Sequence, residues 1–219
     1  MQSWTRLHRP NLSEQVADAV RQRVVQGQIP PGIRINEVHL AAELGVSRTP
    51  LREALMSLVA EGSIHVEPRR GFFARALTLE EFEQLLPIRA LLDPAALRLA
   101  GLPSRQQLDR LREINRKLEA ARDPERIIAL DDAWHLELLA HGSNDVLLVL
   151  IRQFMARTHR YELVLMRERG SVRRASRDHA RILAALAAKD LAGACRALRR
   201  NMQSGNATIL AWLRHRSTK

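Results

Sequence analysis

Strand signals occur at one place only in this 219-residue chain. Ile64-His65-Val66-Glu67 and Phe72-Phe73-Ala74-Arg75 are short β-capable runs, and Pro68-Arg69-Arg70-Gly71 between them reads as a hairpin turn with a basic tip. Elsewhere apolar residues recur with a period near 3.6, as in a helix that buries one face. Before the hairpin the spacing predicts three helices. The first covers about residues 13–26, with Val16, Val20 and Val24 on one face, and the second roughly 36–44. The third opens at Ser47, an N-cap candidate, and runs to Gly62.

Beyond the hairpin the chain reads as helical almost to its end. Thr78 with Glu81 has the pattern of a capping box, and Ser104 with Gln107 caps the next helix. Asp123-Pro124 opens another with proline at its first position. Pro87 and Pro94 are expected to break or kink the first of these helices. A turn at His141-Gly142-Ser143-Asn144, a break at Gly170-Ser171 and a cap at Asp190 divide the rest, the last helix being read as one long element. The domain boundary is placed near residue 77, where strand signals stop. Residues 1–77 form a helix-turn-helix with a hairpin, and residues 78–219 an antiparallel bundle of helices.

Composition narrows the class of protein. With 46% hydrophobic residues the chain has enough apolar matter for a core, which excludes a disordered one. No apolar run is long enough to span a bilayer, so no membrane partner is expected, and the first residues, MQSWTRLHRP, lack the apolar stretch of a signal peptide. A single cysteine, Cys195, rules out an internal disulfide, and a cytoplasmic location is the expectation. Net charge is +11, which favours a polyanion such as nucleic acid. The excess sits in the last third, where residues 160–219 carry 14 basic and 4 acidic groups. Bulk charge therefore does not locate a DNA-reading surface.

Pattern does. Residues 36–62 read as helix, tight turn, helix, with Gly45 free to take the positive φ that such a turn needs. Leu51, Leu55 and Leu58 would lock the second helix onto the first. Arg48, Thr49 and Arg52 then lie near its N-terminus on the other side. A recognition helix puts its first turn at the base edges of the major groove, where arginine grips guanine bidentately and free N–H groups attract phosphate. A wing tipped by Arg69, Arg70 and Gly71 would lie along a neighbouring groove.

The stretch from Asn36 to Gly71 resembles the winged helix-turn-helix of the GntR regulators. It carries Leu-Gly-Val-Ser-Arg-Thr-Pro-Leu-Arg-Glu-Ala-Leu at residues 44–55 and the later Pro-Arg-Arg-Gly. That resemblance implies operator contacts from Ser47, Arg48, Thr49 and Arg52, with Gly71 and its wing, Arg69 and Arg70 included, in the minor groove. It also implies a homodimer on double-stranded operator DNA, usually as a repressor.

In the helical region Ile128, Asp131, His135 and Leu138 share one stripe, so Asp131 and His135 point the same way from an apolar face. His179 shares a face with Ile182, Leu183 and Leu186. Burying such groups without partners is costly. Carboxylate and imidazole suit Zn, Ni, Mn or Fe, and a hydrogen-bonded Asp–His pair or a partly exposed face would serve as well. Arg89 could hold a carboxylate ligand bidentately or pair with Asp93 four residues on. Leu198, Met202, Gly205, Ile209 and Trp212 form a stripe for core packing or dimer contact.

This region is similar to the FCD effector domain of FadR-like GntR proteins. The landmarks are Arg89 with Leu92-Asp93, Asp131-x-x-x-His135 running into Gly142-Ser143-Asn144, and Asp178-His179 with Ile182 and Leu186. By that resemblance an aspartate and three histidines hold a divalent metal ion, and a small carboxylate is the effector, with Arg89 placed to receive it. Asp131, His135 and His179 take three of the ligand places. The fourth falls at Asn201, whose neutral carbonyl oxygen is the weaker ligand. A hydrolytic metalloenzyme on the same three ligands, and an architectural protein coating DNA without sequence preference, are the competing readings.

Overall fold

The computed structural model describes residues 12–25, 27–142, 144–166 and 169–217. The chain divides into two compact units, Met1–Ala76 and Leu77–Lys219.

In the first unit, α1 (Leu12–Val25), α2 (Glu37–Leu44) and α3 (Arg48–Ala60) precede an antiparallel hairpin of β1 (Ile64–Glu67) and β2 (Gly71–Ala74). Asn36 caps α2 by accepting from the Val38 and His39 amides at 3.2 and 3.1 Å. Gly45 ends α2 at φ 66°, a left-handed conformation in which a β-carbon costs strain even though open space surrounds it. That bend turns α3 back so that Leu51, Leu55 and Leu58 are fully buried against Val16, Val20 and Leu40. At the far end of α3 Arg21 reaches from α1 to Glu61 at 2.9 Å. The hairpin pairs Ile64 with Ala74 and Glu67 with Gly71, so β2 begins and ends one residue earlier than the sequence suggested. Arg34 adds a single antiparallel bridge to Phe73.

The second unit is a bundle of seven described helices. They are α4 (Leu79–Ala100), α5 (Arg105–Ala120), α6 (Pro124–Leu139), α7 (Asp145–Met166), α8 (Arg169–Ala187), α9 (Leu191–Asn201) and α10 (Asn206–Ser217). The expected caps are present. Thr78 accepts from the Glu81 amide, Ser104 from Gln107, Asp123 from Arg126 and Asp190 from Gly193. Trp134, Leu97, Leu138, Ile182, Leu186 and Leu198 fill the main core.

Three expectations are corrected. Helix α4 runs unbroken through Pro87 and Pro94, because burial of Phe82, Leu85, Ala90, Ala96 and Leu97 along it outweighs the lost amide donors. Gly170-Ser171 lies within the first turn of α8 and does not break the helix there. The chain after Asp190 is two helices with a turn over residues 202–205. The stripe is therefore split, Leu198 joining the main core and Ile209 a separate cluster with Phe82 and Tyr161. Both are core contacts within the chain.

Candidate functional site

Two places gather the residues singled out by sequence. The first is the leading turn of α3. Ser47 stands at the N-cap position with extended backbone, yet its side chain makes no capping bond. Ser47, Arg48 and Thr49 are exposed, on the side away from buried Leu51. The Arg52 guanidinium lies 3.4 Å from Glu37 and 5.7 Å from the Phe72 ring centre, so it is held in place rather than free to sweep. In the wing, Arg69 is exposed at φ 64°, and Arg70 pairs with Glu67 and covers the Phe73 ring at 5.3 Å. Gly71 sits at φ 104° with Arg34 so near that a β-carbon would stand 3.3 Å from its Nε. Only a glycine relieves both constraints. Sequence reasoning passed over Arg34, which lies outside both the recognition helix and the hairpin.

The second place is a cavity of about 80 Å³ in the bundle, lined among others by Arg89, Asp131, His135, Thr158, Glu162 and Asn201. Helix α6 supplies Asp131 and His135 one turn apart, α8 supplies His179, and α9 ends on Asn201. The ligand atoms of Asp131, His135 and His179 all lie within 4.8 Å of one another, and all three residues are buried. Asp131 stands 3.4 Å from His179 Nε2 and 3.8 Å from His135 Nε2. The Trp134 ring stacks on His179 at 3.7 Å and 5°, and His135 meets both edge-on.

Electrostatics there are set by burial. It holds His179 down at about 3 and His135 well below the usual imidazole range, so both rings are neutral at pH 7. Burial, with Glu162 and Asp132 nearby, pushes Asp131 well above the ordinary carboxylate range. Arg89 bonds Asp93 at 2.8 Å with both side chains buried. Burial disfavours its charge, but Asp93 and Glu162 outweigh this and raise it further. Arg89 thus makes the ion pair and lines the cavity as well, two readings that sequence had set against each other.

A divalent ion fits these residues. Asp131 Oδ1, both ring nitrogens of His135, His179 Nε2 and Asn201 Oδ1 are buried and lack a hydrogen-bond partner among the described residues. Such a concentration of orphaned atoms is costly unless something satisfies them. Either nitrogen of neutral His135 (one at a time), His179 Nε2 and the two side-chain oxygens can present a lone pair. The neutral imidazoles are already in the state that metal binding requires, and Asp131 reaches it by giving up its proton. Asn115, Thr158 and Glu162, which also touch this centre or its cavity, carried no signal in the sequence.

A helix-turn-helix with a hairpin wing, joined in one chain to a helical bundle around a polar cavity, defines a DNA-binding transcription regulator. The model of the bacterial regulatory proteins of the gntR family matches residues 12–74, and that of the FCD domain matches residues 84–204. The regulator McbR of Escherichia coli is 30% identical over 209 residues, covering 91% of this chain and 93% of McbR. Its solved structure superposes with a TM-score of 0.76 over 92% of this chain and 98% of that one. The Nta operon transcriptional regulator of Aminobacter aminovorans is 38% identical over 130 residues, and the match spans 58% of this chain and 62% of that relative. A probable D-xylose utilization operon transcriptional repressor of Paenarthrobacter nicotinovorans is 30% identical over 146 residues, 65% of each chain. The chain belongs to the GntR family and carries an FCD domain. It is a transcription regulator and not an enzyme, which removes the metalloenzyme reading.

Proposed function

We propose that this regulator is a homodimeric, sequence-specific repressor whose hold on a palindromic operator is set by a small carboxylate acting in the cavity of the FCD domain. The observation that carries the DNA-reading half is the exposed first turn of α3. There Ser47, Arg48 and Thr49 project from a helix whose opposite face is fully buried. Arg52, Arg69 and Arg70 extend the basic surface, with Gly71 shaping the wing that carries the last two. Self-association is supported by exposed apolar side chains on the bundle, with Val146, Val149 and Leu150 on α7 and Leu91 and Leu99 on α4. Repression is supported by the similarity to the D-xylose operon relative, itself a probable repressor.

In the cavity Asp131, His135 and His179 would hold the ion, with Asn201 offering a fourth, neutral oxygen. The ion would supply a Lewis-acidic charge to an anionic ligand. Arg89 keeps its guanidinium ionised beside that position, with Nε unpartnered among the described residues, and so favours a carboxylate oxygen. The small volume limits what enters without expansion to a compact acid. An effector can alter operator affinity only by binding the competent and incompetent dimers unequally.

Selection of bound fragments from genomic DNA, repeated with candidate carboxylates, tests operator and effector together. A discrete palindromic footprint is expected, and uniform coating would favour the architectural binder instead. For the ion, Asp131→Ala and His179→Ala should each lower the metal content of the purified protein, and elemental analysis reads it. Proton release is the sharper measure. The histidines are already neutral at pH 7, so only Asp131 has a proton to give up, and it holds that proton below its raised value. Uptake should therefore release about one proton there, and affinity should rise about tenfold per pH unit until Asp131 ionises unaided. Calorimetry in buffers of different ionisation enthalpy counts it, and two protons would implicate a histidine.

A further inference from the structure

Asn115 on α5 lies outside the set of ligand residues, yet its side chain decides which nitrogen of His179 faces the centre. Its Nδ2 donates to the Ser176 backbone carbonyl at 3.2 Å. A carbonyl oxygen can only accept, so the amide cannot be turned the other way without setting two oxygens against each other. The Asn115 oxygen therefore faces His179 Nδ1, at 3.0 Å. That oxygen also only accepts, and so the ring proton must sit on Nδ1. Nε2 is left with a lone pair. It points towards Asp131 Oδ1, 3.4 Å away, and has no hydrogen-bond partner among the described residues. The Trp134 ring, parallel to the imidazole at 3.7 Å, removes the remaining freedom to tip out of plane.

We propose that Asn115 is a positioning residue of this centre, holding His179 as the Nδ1–H tautomer so that Nε2 presents its lone pair to a cation beside Asp131. The proposal rests on the metal reading only for its last step, since the tautomer is fixed by the protein's own groups. Once Asp131 has given up its proton, its oxygen and the Nε2 lone pair 3.4 Å away repel each other, and a cation between them turns that repulsion into two bonds. Partners of this kind on the far nitrogen of a ligand imidazole both orient the ring and raise its basicity.

The test has two arms. Nitrogen-15 shifts of the metal-free wild-type protein, with His179 assigned through His179→Gln, should show a proton on Nδ1 and a bare Nε2. A proton on Nε2 overturns the proposal whether or not any metal binds. In the second arm Co(II) affinity is titrated spectroscopically for wild type, Asn115→Leu and Asn115→Asp. Both variants lose the bond to Ser176, but aspartate keeps an acceptor for Nδ1–H. Leucine should weaken Co(II) binding about 10–100-fold, while aspartate restores it. Equal weakening in both variants would mean that Asn115 only ties α5 to α8, and unchanged affinity in Asn115→Leu would mean that it does nothing; either result overturns the proposal. A wild-type protein that takes up no Co(II) refutes the metal reading, and the shift measurement then decides the tautomer alone.

Discussion

Arg89→Met is expected to lower the free energy of unfolding by about 3–5 kcal/mol at pH 7, the loss typical of a buried ion pair robbed of one partner. Asp93 has no exposed surface, and Arg89 is its one hydrogen-bond partner among the described residues. Removing the guanidinium leaves a buried carboxylate with Asp132 of like charge nearby. The cheapest escape is protonation. Starting from an ordinary value near 3.9, neutralising Asp93 at pH 7 costs about 4 kcal/mol, which agrees with that range. The sign with pH follows. In the variant the folded value of Asp93 lies above its unfolded one, so folding takes up a proton. Stability relative to wild type should then recover as pH falls from 7 towards 4. Urea unfolding at pH 7 and pH 5 reads the difference, and Arg89→Met with Asp93→Leu should regain most of it at pH 7. A loss under about 1 kcal/mol would place the pair in the class of solvated surface bridges. The same result bears on function: a dead effector response in an Arg89 variant means nothing until the fold has been shown to survive.

How much could be read from the sequence depended on how local each feature is. The turn at Gly45, the uncommitted Ser47 and the 51/55/58 leucine stripe lie close together along the chain, which folds there as its pattern predicts. Asp131 and His135 were legible together because one helical turn separates them. His179 and Asn201 come from other helices, and only likeness to known FCD domains joined them to that pair. Asn115 was invisible. It is one polar residue on an amphipathic helix, and its role depends on the Ser176 carbonyl 61 residues away. The prolines of α4 misled for the opposite reason. Their local cost is real, but the buried face that outweighs it is made of packing partners that no window of sequence contains. The split between α9 and α10 was missed because the apolar stripe continues in phase across a turn marked only by the short run Ser204-Gly205-Asn206.

At the operator, Arg48→Ala and Arg52→Ala should each cost about 1–3 kcal/mol of discrimination between the cognate duplex and one scrambled at the recognised bases. The two arginines should fail differently. Arg48 is exposed, with no ion-pair partner among the described residues, so its removal leaves α3 as it was and takes away interactions with DNA alone. Arg52 is held by Glu37 and lies over Phe72, so part of its value is that it reaches the groove already oriented. Glu37→Gln should therefore weaken the same base preference by less than Arg52→Ala does, and Arg48 should be indifferent to it. Removing a phosphate-binding side chain instead, the role that fits Arg69 or Arg70 on the wing, lowers affinity for all sequences alike. Such a variant should flatten the dependence on salt by about one unit of slope for each phosphate no longer neutralised. Competition binding of cognate and scrambled duplexes over a range of salt separates the two patterns. If Arg48→Ala kept both its affinity and its preference, the first turn of α3 would not be the reading edge, and the exposed face it presents would need another occupant.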